Sequence, residues 1–132
     1  LTILQIVWAP GMRLFPHDHD MWACIGIYAG SEDNEFFRRS PGGRGGLRPT
    51  GGKRLEPGTA TLLGDDVIHA VANPSTVAAT AAIHVYGGDF MARPRSQWLE
   101  PALLEEPYDM AAVTARFDEA NERWARARGG TP

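Results

Sequence analysis

Short runs of β-branched and aromatic residues, each cut off within a few positions by glycine, proline or asparagine, dominate this chain and limit what it can fold into. Leu1–Trp8 stops at Pro10-Gly11, and Met21–Tyr28 closes at Ala29-Gly30. Asn34–Arg39 reads as a shorter, more polar third run. Ala60–Leu63, Val67–Ala72 and Val77–Tyr86 follow, separated by Gly64-Asp65-Asp66 and Asn73-Pro74-Ser75. Many short strands with turn signals at close spacing predict an all-β sandwich or barrel.

Two stretches depart from this pattern. Residues 40–58 hold glycine and proline too densely for the interior of an element, so a long hairpin loop or flap is expected there. Its Gly-Gly-Arg-Gly-Gly core is followed by neither a helix-forming run nor a lysine-serine or lysine-threonine pair, which argues against a phosphate cradle. After Gly87-Gly88 the chain changes character. Pro94–Pro107 reads as irregular, and Asp109–Arg128 reads as a helix, with Asp109 as its cap and Met110, Val113, Phe117 and Ala120 along one face. This helix is expected to pack outside the β body. At 132 residues the chain has the size of one domain, divided into a β body over 1–93 and a C-terminal extension over 94–132. Leu1 opens in mid-strand, so an N-terminal part is expected to be missing.

Charge and cysteine usage narrow the partners. The net charge is −3, and basic residues are interspersed with acidic ones outside the glycine-rich stretch, so nucleic acid is not an expected partner. A single cysteine excludes an internal disulfide framework and points to a reducing compartment. No apolar run approaches the roughly 20 residues that cross a bilayer. The expectation is a cytoplasmic protein without membrane contact, and a homodimer is compatible with it.

The chemistry is concentrated in Gly11–His19. His17 and His19 stand at i and i+2 on an extended segment, so both rings face one way, and Pro16 and Asp18 restrict the backbone around them. That is a compact half of a metal site. The other two histidines of the chain, His69 and His84, lie in later strand-like runs.

The spacing Gly11-x5-His17-x-His19-x3-Ala23-x6-Gly30 matches the first cupin motif, and Gly58-x5-Gly64-x-Asp66-x2-His69-x3-Asn73 matches the second. Over residues 11–73 the chain therefore resembles the cupins. The resemblance implies a double-stranded β-helix, or jelly roll, in which His17 and His19 meet His69 around a metal. Gly64 and Asp66 replace the proline and glycine usual in the second motif. Ala23 stands where many cupins carry a glutamate ligand, and strand parity puts it on the histidine face. Three neutral imidazoles keep the full charge of a ferrous ion and leave positions open on it, which favours an anionic, chelating substrate together with dioxygen.

This arrangement resembles the cysteine dioxygenase group, the thiol dioxygenases. Further similarity lies in His69-x-Val-x-Asn-Pro-Ser75 and in Ile83-His84-Val85-Tyr86, a run that in that group places a histidine and a tyrosine near the iron. The run from Pro16 to His19, followed by Met21, is similar to the branch that oxidises cysteamine and N-terminal cysteines. Nearly the whole chain resembles bacterial cupins described as predicted metal-dependent enzymes, through W-A-P-G, P-H-D-H-x-M-W, G-D-D-V-I-H and H-V-Y-G-G-D-F. Two matches to cysteine dioxygenases fail. Their carboxylate-binding arginine would lie upstream of Leu1, and Ala82 replaces the serine that supports the histidine and tyrosine.

The resemblance implies Fe(II) on His17, His19 and His69, with nickel, manganese or zinc as other divalent metals such a site takes. It implies conversion of a small thiol and O2 to a sulfinate, with Tyr86 as a proton donor or acceptor and His84 supporting it. Met21, Trp22 and Arg13 are candidates for substrate contact. Cys24 is turned away from the metal face by parity, and Asn73 and Asp66 read as turn formers. Two other readings stand beside this one. The chain is a non-catalytic cupin that binds a metal or small ligand, or a dioxygenase or isomerase of a small non-thiol acid.

Overall fold

The computed structural model describes residues 1–42 and 45–129; residues 43–44 of the glycine-rich stretch and 130–132 of the C-terminal extension lie outside them. Alternation sorts the side chains first. In β1 (Thr2–Trp8), Leu4, Ile6 and Trp8 turn inward while Ile3, Gln5 and Val7 face solvent. In β3 (Ala23–Ala29), Ala23, Ile25 and Ile27 are buried and Cys24, Gly26 and Tyr28 lie on the other face. Parity thus separates Cys24 from Ala23.

The remaining strands are β2 (Arg13–Asp18), β4 (Glu32–Arg39), β5 (Leu47–Leu55), β6 (Ala60–Leu63), β7 (Ile68–Ala72), β8 (Thr80–Tyr86), β9 (Ser96–Leu99) and β10 (Leu104–Pro107), followed by the helix α1 (Met110–Ala127). Two antiparallel sheets form, ordered β1-β8-β3-β6 and β10-β9-β2-β7-β4-β5. Their apolar inner faces meet in a core of Met21, Ala23, Ile25, Ile27, Leu55, Leu63, Ala82, Tyr86 and Phe90. This is the expected jelly roll with a C-terminal helix. Asp109 caps α1 by accepting from the Ala111 N–H at 2.9 Å. The helix lays Val113 and Ala120 against Trp8, Met12, Leu14, Phe15 and Val71.

Two local expectations are corrected. The glycine-rich stretch is not a loop throughout: β5 runs through it and pairs with β4 from Glu32↔Leu55 to Arg39↔Leu47. As the last strand of its sheet it has one free edge, where Pro49 and side-chain-free glycines are tolerated. Gly52 has a specific reason, since a Cβ there would stand 3.0 Å from the Asn34 carbonyl. Second, Pro94–Pro107 is not irregular. β9 joins β2 through His17↔Gln97, and β10 joins β9, so the β body extends past residue 93 to Pro107. Trp98 is fully buried there, packed with Phe37, Ile68 and Ala70.

The two motif turns are held by local chemistry. Gly30, at φ +72°, packs so closely that a Cβ would stand 2.7 Å from Thr80 Oγ1. Asn73 donates from Nδ2 to the carbonyls of Trp8, Ala9 and Ala78 and accepts the Ser75 N–H on Oδ1. It thereby ties the β7–β8 turn to the β1–β2 turn below the histidines.

Candidate metal centre

Leu14 and His17 both face the interior although three positions separate them, because the register of β2 against β7 slips between these residues. Pro16 lies in the slip and has no N–H to offer the ladder, so a bulge at this point removes a conflict as well as turning the ring inward. The Phe15 carbonyl, inside the bulge, accepts from His17 Nδ1–H at 2.9 Å. His69 lies opposite His17 across the β2–β7 pair, and its Nδ1–H donates to Asn34 Oδ1 at 2.6 Å. Both contacts leave Nε2 with its lone pair free. His19 follows β2 and precedes Asp20, whose φ of +52° turns the chain toward β3.

His17, His19 and His69 converge, each offering a nitrogen within 4.8 Å of the others. Their ring centroids form a near-equilateral triangle with sides of 4.7, 5.0 and 5.1 Å. All three are buried. Burial pushes His17 down to about 4, partly opposed by its bond to the Phe15 carbonyl and helped by the nearby Arg95 charge. His19 and His69 are held well below the ordinary imidazole value, first by burial and then by the neighbouring histidines. The site is therefore three neutral imidazoles at neutral pH.

That donor set fits a divalent transition metal. His69 Nε2 and His19 Nε2 stand 3.4 Å apart. Two nitrogens each about 2.1 Å from one ion, at angles between square and tetrahedral, lie about 3.0–3.4 Å apart. Among the described residues no carboxylate joins the cluster. Ala23, where the first motif often carries a glutamate, is fully buried in the inter-sheet core, and Tyr86 on the paired strand packs beside it. The three histidines could thus hold a metal, and imidazole-rich sites take iron, nickel, copper or zinc.

Tyr86 and His84 share the inner face of β8, as spacing predicts. The Tyr86 ring lies 5.1 Å from that of His19, and its hydroxyl is 2.9 Å from His84 Nδ1. Burial raises the phenol well above its ordinary value. Ala82 offers His84 no hydroxyl. Instead His84 Nε2 faces the Glu32 carboxylate at 3.6 Å. Glu32 is fully buried and also accepts from Trp8 Nε1 at 3.1 Å and Asn34 Nδ2 at 2.9 Å. Sequence reasoning did not single out Glu32 or Asn34. The signal was present as two polar residues at inward parity right after the Gly30 turn.

A cavity of about 340 Å³ lies over the histidines, walled by β1, by Phe90 and Tyr108, and by Met110, Val113 and Phe117 of α1. The Phe117 ring stacks on Trp8 at 5.1 Å. Arg95 is buried, with its guanidinium stacked 3.8 Å from the Tyr108 ring and 4.2 Å from Phe90. One nitrogen of Arg95 donates to the Phe90 and Arg93 carbonyls, whereas Nε and Nη2 have no hydrogen-bond acceptor among the described residues. Arg95 and Tyr108 were also missed, because the extension that carries them reads as irregular.

The sequence candidates for substrate contact fall elsewhere. Arg13 points outward into ion pairs with Glu35 and Glu100, having taken the opposite face of β2 from Leu14. Trp22 is exposed, with its indole lying over Gly87, where a Cβ would meet Nε1 at 2.2 Å. Met21 is buried in the inter-sheet core beside Gly88 and does not line the cavity.

No protein-family model matches the chain. Among solved structures it is similar to a protein of unknown function with a cupin-like fold from Ralstonia eutropha, with TM-score 0.54 and 16% identity over 96% of this chain and 65% of that one. It is similar to an oxalate oxidase studied for its mechanism, with TM-score 0.52 and 12% identity over 98% of this chain and 64% of that one. An oxalate oxidase in complex with the substrate analogue glycolate gives TM-score 0.51 and 14% identity over 65% of this chain and 41% of that one. This chain spans less than two thirds of the length of each. The likeness shows the fold, the cupin jelly roll.

Proposed function

We propose that this cupin-fold chain is a mononuclear Fe(II) oxygenase that converts a small thiol and O2 to a sulfinate, with His17, His19 and His69 as the metal ligands. The observation that carries the reading is the convergence of three buried neutral imidazoles, with no carboxylate among them, beneath a cavity of about 340 Å³. Overall, RSH and O2 give RSO2H: both oxygen atoms pass to sulfur, which is oxidised as dioxygen is reduced. When bound, ferrous iron supplies the one-electron chemistry that dioxygen requires and favours the thiolate form of a sulfur ligand.

The chain's own residues do the rest. Phe90, Tyr108, Val113 and Phe117 wall the histidines with apolar and aromatic side chains and leave room for a substrate of a few heavy atoms. Tyr86, beside His19 and bonded to His84, orients the polar end of the reacting group. Arg95, stacked behind Phe90 and Tyr108 of the cavity wall, lends the site a positive charge from outside the cavity lining.

The test is metal analysis of protein purified from its native host, followed by oxygen consumption against a panel of thiols and of small acids and diketones. Iron with thiol-dependent uptake and a sulfinate product supports the proposal. Zinc without uptake removes it and favours a binding module. The Arg95 charge favours one second reading, oxidation of a small carboxylic acid that lacks sulfur. Uptake with acids and none with thiols would establish that reading instead.

A further inference from the structure

Glu32 is a carboxylate in the interior with no cationic side chain among its hydrogen-bond partners. Its relative exposure is 0%, and Trp8 Nε1 and Asn34 Nδ2 donate to its two oxygens. Burying such a group is costly, and an apolar residue would pack there without that cost. His84 Nε2 is also buried, with no hydrogen-bond partner among the described residues, and a Glu32 oxygen faces it at 3.6 Å. Two separate chains of contacts leave this one carboxylate. One ends at Tyr86, the other at His69.

We propose that Glu32 is a positioning residue that sets the hydrogen-bond direction on both sides of the metal centre, fixing His69 in its metal-binding tautomer and turning the Tyr86 oxygen toward the cavity. On the first side, a negative oxygen facing His84 Nε2 favours the proton on that nitrogen. Nδ1 then carries the lone pair and accepts from the Tyr86 hydroxyl at 2.9 Å. The phenol proton points to His84, so its oxygen lone pairs are left for the substrate. Tyr86 is an acceptor toward the cavity as a result.

On the second side the device is the Asn34 amide. Because Nδ2 is committed to Glu32 Oε1, Oδ1 must face His69, where it accepts from Nδ1–H. The free nitrogen of His69 is therefore Nε2, the one beside His19. Were the amide reversed, its NH2 would face His69 Nδ1 and favour the tautomer with its proton on Nε2, which cannot bind a metal. Glu32 acts on His69 through Asn34.

The metal arm of this inference rests on the proposed ligand set, whereas the tautomers are a property of the metal-free protein. Long-range 15N–1H spectra of histidine-labelled apoprotein, with only four histidines to assign, read them directly. The expected result is a proton on Nδ1 of His69 and on Nε2 of His84. Glu32→Gln keeps an oxygen for Trp8 and His84 but presents an NH2 to Asn34. It should reverse that amide, move the His69 proton to Nε2 and weaken zinc binding about 10–100-fold in a chelator competition. Glu32→Asp should restore the wild-type tautomer of His69.

Four outcomes would overturn the proposal, the first three being wild-type His69 protonated on Nε2, wild-type His84 protonated on Nδ1, or a folded Glu32→Gln protein that keeps both the His69 tautomer and the zinc affinity. Loss of affinity with an unchanged His69 tautomer would likewise reduce Glu32 to a structural role and overturn it. The wild-type spectra decide the matter even where a variant fails to fold. None of these readouts involves oxygen uptake, so failure of the thiol reaction and failure of this inference are distinguishable.

Discussion

At the scale of the residue, burial of the three imidazoles has a pH signature. In the metal-free protein His17 takes up a proton only near pH 4, while an unfolded histidine does so near 6.5. Between those values the unfolded chain binds more protons, so stability rises with pH. The contribution is full above about pH 6.5 and is lost as pH falls to about 4, on the order of 3 kcal/mol for His17 alone. Denaturant midpoints of the apoprotein at pH 7.5 and 4.5 should show this loss; equal midpoints would mean that the ring is not buried neutral. Ligand removal is the second residue-scale prediction. His69→Ala takes away one of three donors and leaves Asn34 Oδ1 unpaired. Zinc affinity in a chelator competition should fall by more than the roughly 10–100-fold typical of losing an outer hydrogen-bond partner.

Elements decide where those residues stand. The β2 bulge at Phe15-Pro16 changes parity so that Leu14, His17 and His19 share the interior, while Arg13 is sent to the surface. The Gly30 turn sets β4 so that Glu32 and Asn34 face inward. Gly30→Ala should cost about 1–3 kcal/mol, since it forces a side chain into positive φ and against Thr80. Gly26→Ala is the control: nothing lies within 4 Å of its Cβ position, and it should be neutral or stabilising by up to about 1 kcal/mol. Urea titration of the two variants compares them directly. α1 is an element of the site as well as of the scaffold. Phe117→Ala removes the ring stacked on Trp8 and opens the cavity wall, and should lower stability by about 2–4 kcal/mol in the same titration.

For the whole molecule, metal binding and folding are linked, because the donors come from two strands and the segment after β2, and an unfolded chain does not assemble them. At a free zinc concentration 1,000-fold above its Kd the folded state should gain about 4 kcal/mol. A melting temperature that rises with zinc in the wild type and stays flat in His69→Ala would show this; a flat wild-type curve would count against the site. Much of the fold was legible in the sequence because strand identity is local, and the histidine cluster was legible through the two motifs, whose resemblance to the cupins implied that His17 and His19 meet His69, 50 positions beyond His19. Strand identity follows from short β-branched runs between turn residues, and the ligand spacing lies within single strands and their turns. The glycine-rich strand β5 was illegible because an edge position excuses a composition that an interior strand forbids. Arg95 and Tyr108 were hidden in an extension that reads as irregular, and the role of Glu32 was hidden for another reason. Glu32 and His84 are 52 positions apart on different sheets, and only the closure of one sheet over the other makes them neighbours. Sequence alone determined that two histidine-bearing segments exist with the right faces, since side-chain parity is a property of each strand. Tertiary structure decided which carboxylate, amide and guanidinium surround them, since contact across sheets is set by packing that no local pattern records.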